Sequence, residues 1–302
     1  MKRVFGILLT LTLTLVAVDA NAITYYISAP RFVRPLIEHW IELYKNINPD
    51  VEFAIAKSAA DREASQLAIE LSEEPLDNGK AFQTVYFGEY AVLPVAIKDS
   101  EAADLLADQQ LNQKRLKSLF FVNEDFEQEG KKDKNSTLVV YTGSSATSAS
   151  IRFASYFGKN VSNFKGKRIV GDDQFLTAAI SKDSKGVTIN SLPNIYDLKT
   201  RQLKQNLILV PLDVDKSVRV AFSETATLDQ LLEALEAGKT DAVPVGKVGI
   251  AFNDANAQIN SFIRWILSEG RNYNHQYGLL SLDDKTIAKQ TEQLTTNYTA
   301  QK

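Results

Sequence analysis

Apolar positions in this chain recur with two periods, and the switch between them divides it into elements. Val33, Leu36, Ile37, Trp40, Ile41 and Tyr44 fall at helical spacing between Phe32 and Tyr44, and Asn48-Pro49-Asp50 stops that helix. Short apolar runs at Ile23–Ile27 and Val51–Ala56 predict strands on either side. Ser58–Leu71 reads as a second helix, with Ser58 as N-cap and Asp61 supporting its first turn. Phe82–Phe87 and Tyr90–Ile97 read as strands. Ala102–Leu106 and Asn112–Phe121 read as helices, and the charged stretch Phe121–Asn135 as a loop.

The alternation then resumes. Thr137–Tyr141, Lys167–Val170, Gly186–Asn190 and Leu207–Leu212 predict strands. Ser148–Phe157, Asp173–Ile180, Leu228–Ala237, Ile259–Leu267 and Asp284–Leu294 predict helices. Ala242–Phe252 is an apolar run interrupted by Pro244 and Gly246. Strands separated by helices of this length predict an α/β protein with mainly parallel sheets. There is no internal repeat and no low-complexity tract.

One junction in this pattern suggests chemistry. The apolar run Leu138–Tyr141 meets a small, hydroxyl-rich turn, Thr142-Gly143-Ser144-Ser145-Ala146-Thr147-Ser148, which opens onto the helical positions Ile151, Phe153, Ala154 and Phe157. A helix start has backbone N–H groups without partners and a partial positive charge, so a strand, a small polar turn and a helix start together suit an anion. The same residues also suit an ordinary strand-to-helix turn with Ser and Thr as caps.

Composition narrows the class. Lys2 and Arg3, an apolar run from Val4 to Val18 and the small residues Ala20-Asn21-Ala22 predict a secretory signal over residues 1–22, cleaved near Ala22. The run, about 15 residues, is short of the roughly 20 that span a bilayer. The mature chain would begin near Ile23 and be exported. The chain has no cysteine, which excludes disulfides, thiolate metal sites and a cysteine nucleophile. Loss of Lys2, Arg3 and Asp19 with the signal moves the net charge from −3 to −4, which disfavours nucleic acid as a partner.

Other constellations compete for a role. Asp213, Asp215, Ser217 and Glu224, with Arg219 at the backbone position, match most of a calcium loop. Val218 stands where the sharp turn wants glycine, and a solvated β-turn explains the same residues. His39 and His275 are far apart and lack metal-ligand spacing, so packing or surface roles are expected for both. No nucleophile elbow and no phosphate-loop lysine motif is present. Trp40 and Trp265 lie on apolar helix faces, where core packing is the default.

The order of segments resembles the phosphate-binding component of bacterial ABC importers. Arg31–Phe53 (RFVRPLIEHWIELYKNINPDVEF) is similar to the family's first helix and second strand. Gly88–Ser100 (GEYAVLPVAIKDS) and Leu111–Phe120 (LNQKRLKSLF) are similar to its crossing strand and following helix. Ser144–Thr147 (SSAT) sits where the family has Gly-Ser-Gly-Thr. Gly171–Asp197 and Phe262–Asp284 are similar to a helix–turn–strand of lobe two and to the closing helix and tail. The resemblance implies an α/β, two-lobed periplasmic-binding-protein fold of type II, with two mixed sheets flanked by helices and a ligand cleft between the lobes. Lobe one would comprise residues 23–93 plus 249–302 and lobe two 94–248. Tyr90–Ile97 and Ala242–Phe252 would be the crossings.

The resemblance also implies a monomeric, non-enzymatic carrier without a cofactor. It would bind phosphate or another small oxyanion and be read by the membrane permease of an ABC importer. The implied ligand-binding positions are Ser28, Ala29, Arg31, Phe32, Ser58, Thr142, Ser144, Ser145, Ala146 and Thr147. The chain departs from the family's pattern at several of them. Pro30 removes a donor from the first turn, and Lys57-Ser58-Ala59-Ala60-Asp61 replaces a Ser/Gly-rich turn. Tyr141 and Thr142 stand where an arginine is expected, and the proton-accepting Asp is not recognisable between Glu63 and Gln83. Three readings stay open: a phosphate site rebuilt around Arg31, Lys57 and Ser58, a different ligand, or a binding fold turned protein-interaction or signalling module. A hydrolase is a further alternative, which a histidine within reach of Ser144 or Ser145 would favour.

Overall fold

The structure, a computed structural model, describes residues 23–71, 83–122, 137–144, 148–238, 240–252 and 256–300. The predicted signal, most of the charged 121–135 loop and Ser145-Ala146-Thr147 therefore lie outside the described residues. No helix among the described residues is long and apolar enough to cross a membrane.

The chain begins with β1 (Thr24–Ser28), α1 (Arg34–Ile47) and β2 (Glu52–Ile55). Pro35 in the first turn of α1 forfeits no needed donor. The helix buries Leu36, Ile37, Trp40 and Tyr44 on one face, the side its periodicity predicts. Trp40 is fully buried, and its indole N–H donates to the Gly270 carbonyl (2.7 Å). Next come α2 (Ala59–Glu63), β3 (Leu67–Glu70) and β4 (Gln83–Ile97). Ser58 caps α2, as expected: its Oγ accepts from the Asp61 N–H (3.0 Å), and the Asp61 carboxylate accepts from the Ser58 N–H (2.8 Å).

The expected helix over Ser58–Leu71 is corrected here. It ends at Glu63, and Leu67–Glu70 forms a strand between β1 and β9 (Val245–Phe252). Pairing on both sides outweighs the weak preference of four residues for helix. The two strands expected at Phe82–Phe87 and Tyr90–Ile97 are one strand, β4, which shifts register between Tyr86 and Gly88.

The middle of the chain gives α3 (Glu101–Leu106), α4 (Gln113–Phe120), β5 (Val139–Gly143), α5 (Ser148–Tyr156), β6 (Lys167–Ile169), α6 (Gln174–Ile180) and β7 (Gly186–Ser191). It continues with α7 (Leu192–Ile195), β8 (Leu207–Leu209) and α8 (Leu228–Glu236). After β9 come α9 (Ala257–Ser268) and α10 (Asp284–Ala300).

The described strands join in the order β2-β1-β3-β9-β4-β7-β5-β6, with β8 also on β4. The sheets are mixed rather than mainly parallel. The pairs β1–β2, β1–β3, β5–β6 and β5–β7 are parallel, whereas every pairing of β4 and β9 is antiparallel. β4 belongs to two sheets: Gln83–Ala91 pairs with β9, and Val92–Ala96 pairs with β7. Each sheet with its helices makes one lobe; β4 runs through both, whereas β9 pairs only within the first.

The lobe cores are aromatic. In the first, Phe53 stacks on Phe262 (4.2 Å between centroids) and Tyr44 meets Phe262 edge-on. In the second, Phe153 lies among Phe120, Phe121, Phe157 and Phe164.

Arg201 ties the second lobe to the His275–Gln276 turn. It donates to both backbone carbonyls (2.7 and 2.9 Å) and grips the Asp229 carboxylate with two nitrogens. These bonds hold the Asp229 carboxyl below the usual carboxylate range, with the Arg201 hydrogen bond the largest cause. A depressed folded value stabilises the protein above the unfolded value, and that contribution disappears as pH falls through the folded one. Asp229→Asn should therefore lower the melting temperature at pH 7, and the gap from the parent should close as pH is taken below the carboxylate range. Thermal unfolding across that range tests this, and a gap that does not change with pH contradicts it.

Candidate functional site

The sequence-predicted positions cluster at the C-terminal ends of parallel strands, where α/β sheets offer ligands their crevice. Ser28 ends β1, Ser58 follows β2, and Thr142 and Ser144 lie at the end of β5. Several are already engaged within the protein. The Ala29 carbonyl accepts from Arg34 Nε (3.0 Å), and the Ser58 hydroxyl is the α2 cap. Thr142 is wholly buried and its Oγ1 accepts from Arg168 (2.9 Å). Arg168 also donates to the Phe164 carbonyl and lies over that ring. Ser144 is half-buried, and its N–H donates to the Ile169 carbonyl (3.0 Å). Ser145, Ala146 and Thr147 fall outside the described residues.

Two contacts reach from the first turn. Arg31, exposed at the start of the α1 turn, points its Nε at Asp172 (3.6 Å) in the β6–α6 loop. Phe32 packs against Tyr90 on β4, with ring centroids 5.5 Å apart. The first turn and the β6–α6 loop belong to different lobes, so the Arg31–Asp172 pair spans the space between them.

Asp173, next to Asp172, is buried, and its Oδ2 accepts from the Ala149 N–H (3.1 Å) in the first turn of α5. A carboxylate thus rests on the helix start that the sequence marks for an anion. Ser150 Oγ accepts from the Gly143 N–H (2.8 Å), closing the strand–helix junction on its other side. Below Asp173, Asn190 Nδ2 donates to its carbonyl (2.7 Å), and Asn194 donates to Asn190 Oδ1 (2.8 Å). The ends of β5 and β7 therefore carry a floor of buried, bonded polar groups, as an interior of this kind requires.

Sequence reasoning missed Asp173, Ser150, Asn190 and Arg152. Arg152 sits on α5 beside the Tyr90 ring and over Gly246 of β9. Burial pushes the Tyr90 hydroxyl well up; the charge of Arg152 opposes that rise and the charge of Asp173 adds to it. The sequence offered one clue to Arg152, a lone cation inside the apolar pattern Ile151–Phe153–Ala154 of α5.

The other candidates have separate roles. Glu224 pairs with Lys98 (3.0 Å), and Asp215 accepts from the Ser217 N–H and hydroxyl. A 3-10 turn over Arg219–Phe222 intervenes, and no group of three or more His, Cys, Asp or Glu among the described residues is placed to hold a metal ion. His39 packs on Tyr273 and Tyr277. His275 Nε2 meets Glu236 (2.7 Å), and Ser281 Oγ approaches the same nitrogen at 3.4 Å. A relay needs the acid on the other ring nitrogen, so this trio does not form one.

No family profile matches the chain, and no curated protein matches it by sequence. Solved structures do match by shape. An ABC-type phosphate transport receptor from Vibrio cholerae superposes with a TM-score of 0.56 at 15% identity, covering 85% of this chain and 100% of its own. A Clostridium perfringens protein assigned as a phosphate ABC transporter substrate-binding protein, with bound phosphate, has a TM-score of 0.56 at 14% identity. It covers 86% of this chain and 100% of its own. The CcmR regulatory domain of Synechocystis PCC6803, in complex with 2-PG, has a TM-score of 0.50 at 11% identity, covering 82% and 98%. Identities this low speak to architecture alone, and with the shared β4 they define it: the chain has the two-lobed, type II periplasmic-binding-protein fold.

Proposed function

We propose that this is an exported solute-binding protein that holds a small oxyanion, phosphate first, between its lobes for the membrane permease of an ABC importer. It would act in the periplasm as a monomer, with lobe one at residues 23–93 plus 249–302 and lobe two at 94–248. The observation that carries the reading is convergence. Arg31 reaches across the cleft to Asp172, and the next residue, Asp173, sits on the start of α5, which follows Ser144–Thr147 in sequence. A cation from one lobe and an anion-seeking helix start from the other meet at one place. Ser28, Phe32, Ser144, Ser145, Ala146 and Thr147 would complete the lining. The role needs no covalent step: ligand closes the lobes and the permease reads the closed form.

Asp172 and Asp173 also supply a basis for selection. A carboxylate beside the ligand accepts a proton from hydrogenphosphate and repels sulfate, which brings none. Calorimetric titration of the chain from Ile23 with phosphate should give heat and a raised melting temperature, and sulfate should give neither. Silence with millimolar phosphate overturns the carrier reading.

One observation favours a second reading, in which the fold is an interaction or signalling module. The Asp173 carboxylate already takes the Ala149 N–H, so part of the helix start is filled from within. The likeness to the CcmR regulatory domain shows the same architecture in a regulatory protein. Silence with phosphate would leave this reading standing.

A further inference from the structure

We propose that Arg152, rather than Arg31, meets the charge of the bound oxyanion, entering the cleft from the β4–β9 face. The proposal rests on the oxyanion reading above. Arg152 leaves α5 four residues after Ser148 and runs across β9 at Gly246. A Cβ on Gly246 would lie 2.8 Å from Arg152 Cδ, 3.1 Å from its Nε and 3.0 Å from Tyr90 Cε1. Glycine at this point on β9 is what leaves room for the arginine between the β4–β9 face and α5. The Nε is sealed from solvent and has no hydrogen-bond partner. Among the described residues, the guanidinium makes no ion pair.

An arginine in a protein keeps its charge. An unmet donor on a permanent cation is costly, and an anion at the guanidinium's outer nitrogens would compensate that charge. The two carboxylates at the lobe junction have other partners: Asp172 faces Arg31 and Asp173 holds the Ala149 N–H. Arg31 is more than half exposed and already paired, so water and Asp172 screen it. Arg152 is the stronger counter-ion because it is the less solvated and less compensated of the two cations. Its planar fork also matches two oxygens of a tetrahedral ligand.

The test is titration with inorganic phosphate of the wild type, Arg152→Met, Arg152→Lys and Arg31→Gln, with melting temperatures measured without ligand. Arg152→Met should fold with an unchanged or raised melting temperature and lose about a hundredfold in affinity, the scale of one desolvated charge-assisted pair. Arg31→Gln should lose less than about tenfold. Arg152→Lys should recover part of the loss, because it restores the charge without the fork. If the wild type binds phosphate and Arg152→Met stays within about threefold of it, this proposal fails alone. If the wild type gives no heat, the oxyanion reading fails and takes this proposal with it. If Arg152→Lys binds as poorly as Arg152→Met, the charge is not what the site uses and the proposal is overturned.

Discussion

Phe153→Ala is expected to lower the free energy of unfolding by about 3–5 kcal/mol, the range for truncating a fully buried aromatic side chain. Phe153 has no exposed surface. Its ring centroid lies 4.8 Å from Phe120, 4.9 Å from Phe157, 6.0 Å from Phe121 and 6.2 Å from Phe164. Four rings converging on one side chain cannot all move into the space it leaves, so most of the cavity persists. Phe153→Leu keeps much of the volume and should cost under about 1.5 kcal/mol. Urea unfolding followed by far-UV circular dichroism measures both. A loss below about 1 kcal/mol for Phe153→Ala would mean that the ring cluster collapses freely and is not a rigid core. Phe153 lies on α5 next to Arg152, so on the proposed oxyanion reading the variant should also blunt any rise in melting temperature with phosphate.

The sequence made the fold legible wherever a segment was long or strongly periodic. The fourteen-residue α1 buries Leu36, Ile37, Trp40 and Tyr44 on one face, as its periodicity predicts, and the cap Ser58 has the bonds that its residue type predicts. Short segments decided by pairing were harder. Leu67–Glu70 carries no turn signal before it, and its Glu70 is buried, which no local pattern announces. That glutamate is tolerated because Thr84 Oγ1 donates to it (3.0 Å) across from β4. β4 is continuous where the sequence predicts two strands: Gly88 and Glu89 pair with Val248 and Lys247, and the register shift falls at Phe87.

The candidate site was legible only in part, for a physical reason. A turn of small hydroxyl residues before a helix is a local signal, and the helix does begin at Ser148 as that signal predicts. What lies on that helix start is Asp173, twenty-four residues further on, delivered by a parallel strand and a loop. Arg31 was visible as a cation in the first turn, yet its partner Asp172 was not. Arg152 was hidden differently. It occupies a helix whose apolar positions explain themselves, and its place on the β4–β9 face depends on a glycine nearly a hundred residues away. Local pattern predicts the donors of such a site, while topology decides which charges they face.

Gly166→Ala should cost about 2–5 kcal/mol, combining about 1–2 for a side chain held at positive φ with about 1–3 for overpacking. Gly166 has φ +86°, and a Cβ there would come within 2.2 Å of the Val140 carbonyl oxygen and 3.0 Å of its carbon. The obstacle is the backbone of β5, which cannot turn aside as a flexible side chain would. Relief requires β6 to move away from β5, and the parallel pairing of Tyr141 with Lys167 and Thr142 with Arg168 begins one residue later. The loss should therefore appear in the second lobe. Trp40 on α1 and Trp265 on α9 report on the first lobe, so the midpoint read by circular dichroism should fall further than the one read by tryptophan emission. An unchanged urea midpoint by both probes would contradict the close approach. On the proposed oxyanion reading, and because β5 ends next to Ser144, the same displacement should weaken phosphate binding in the folded variant. If affinity were retained with stability lost, the ligand would be held by Arg152 and the β4–β9 face more than by the end of β5.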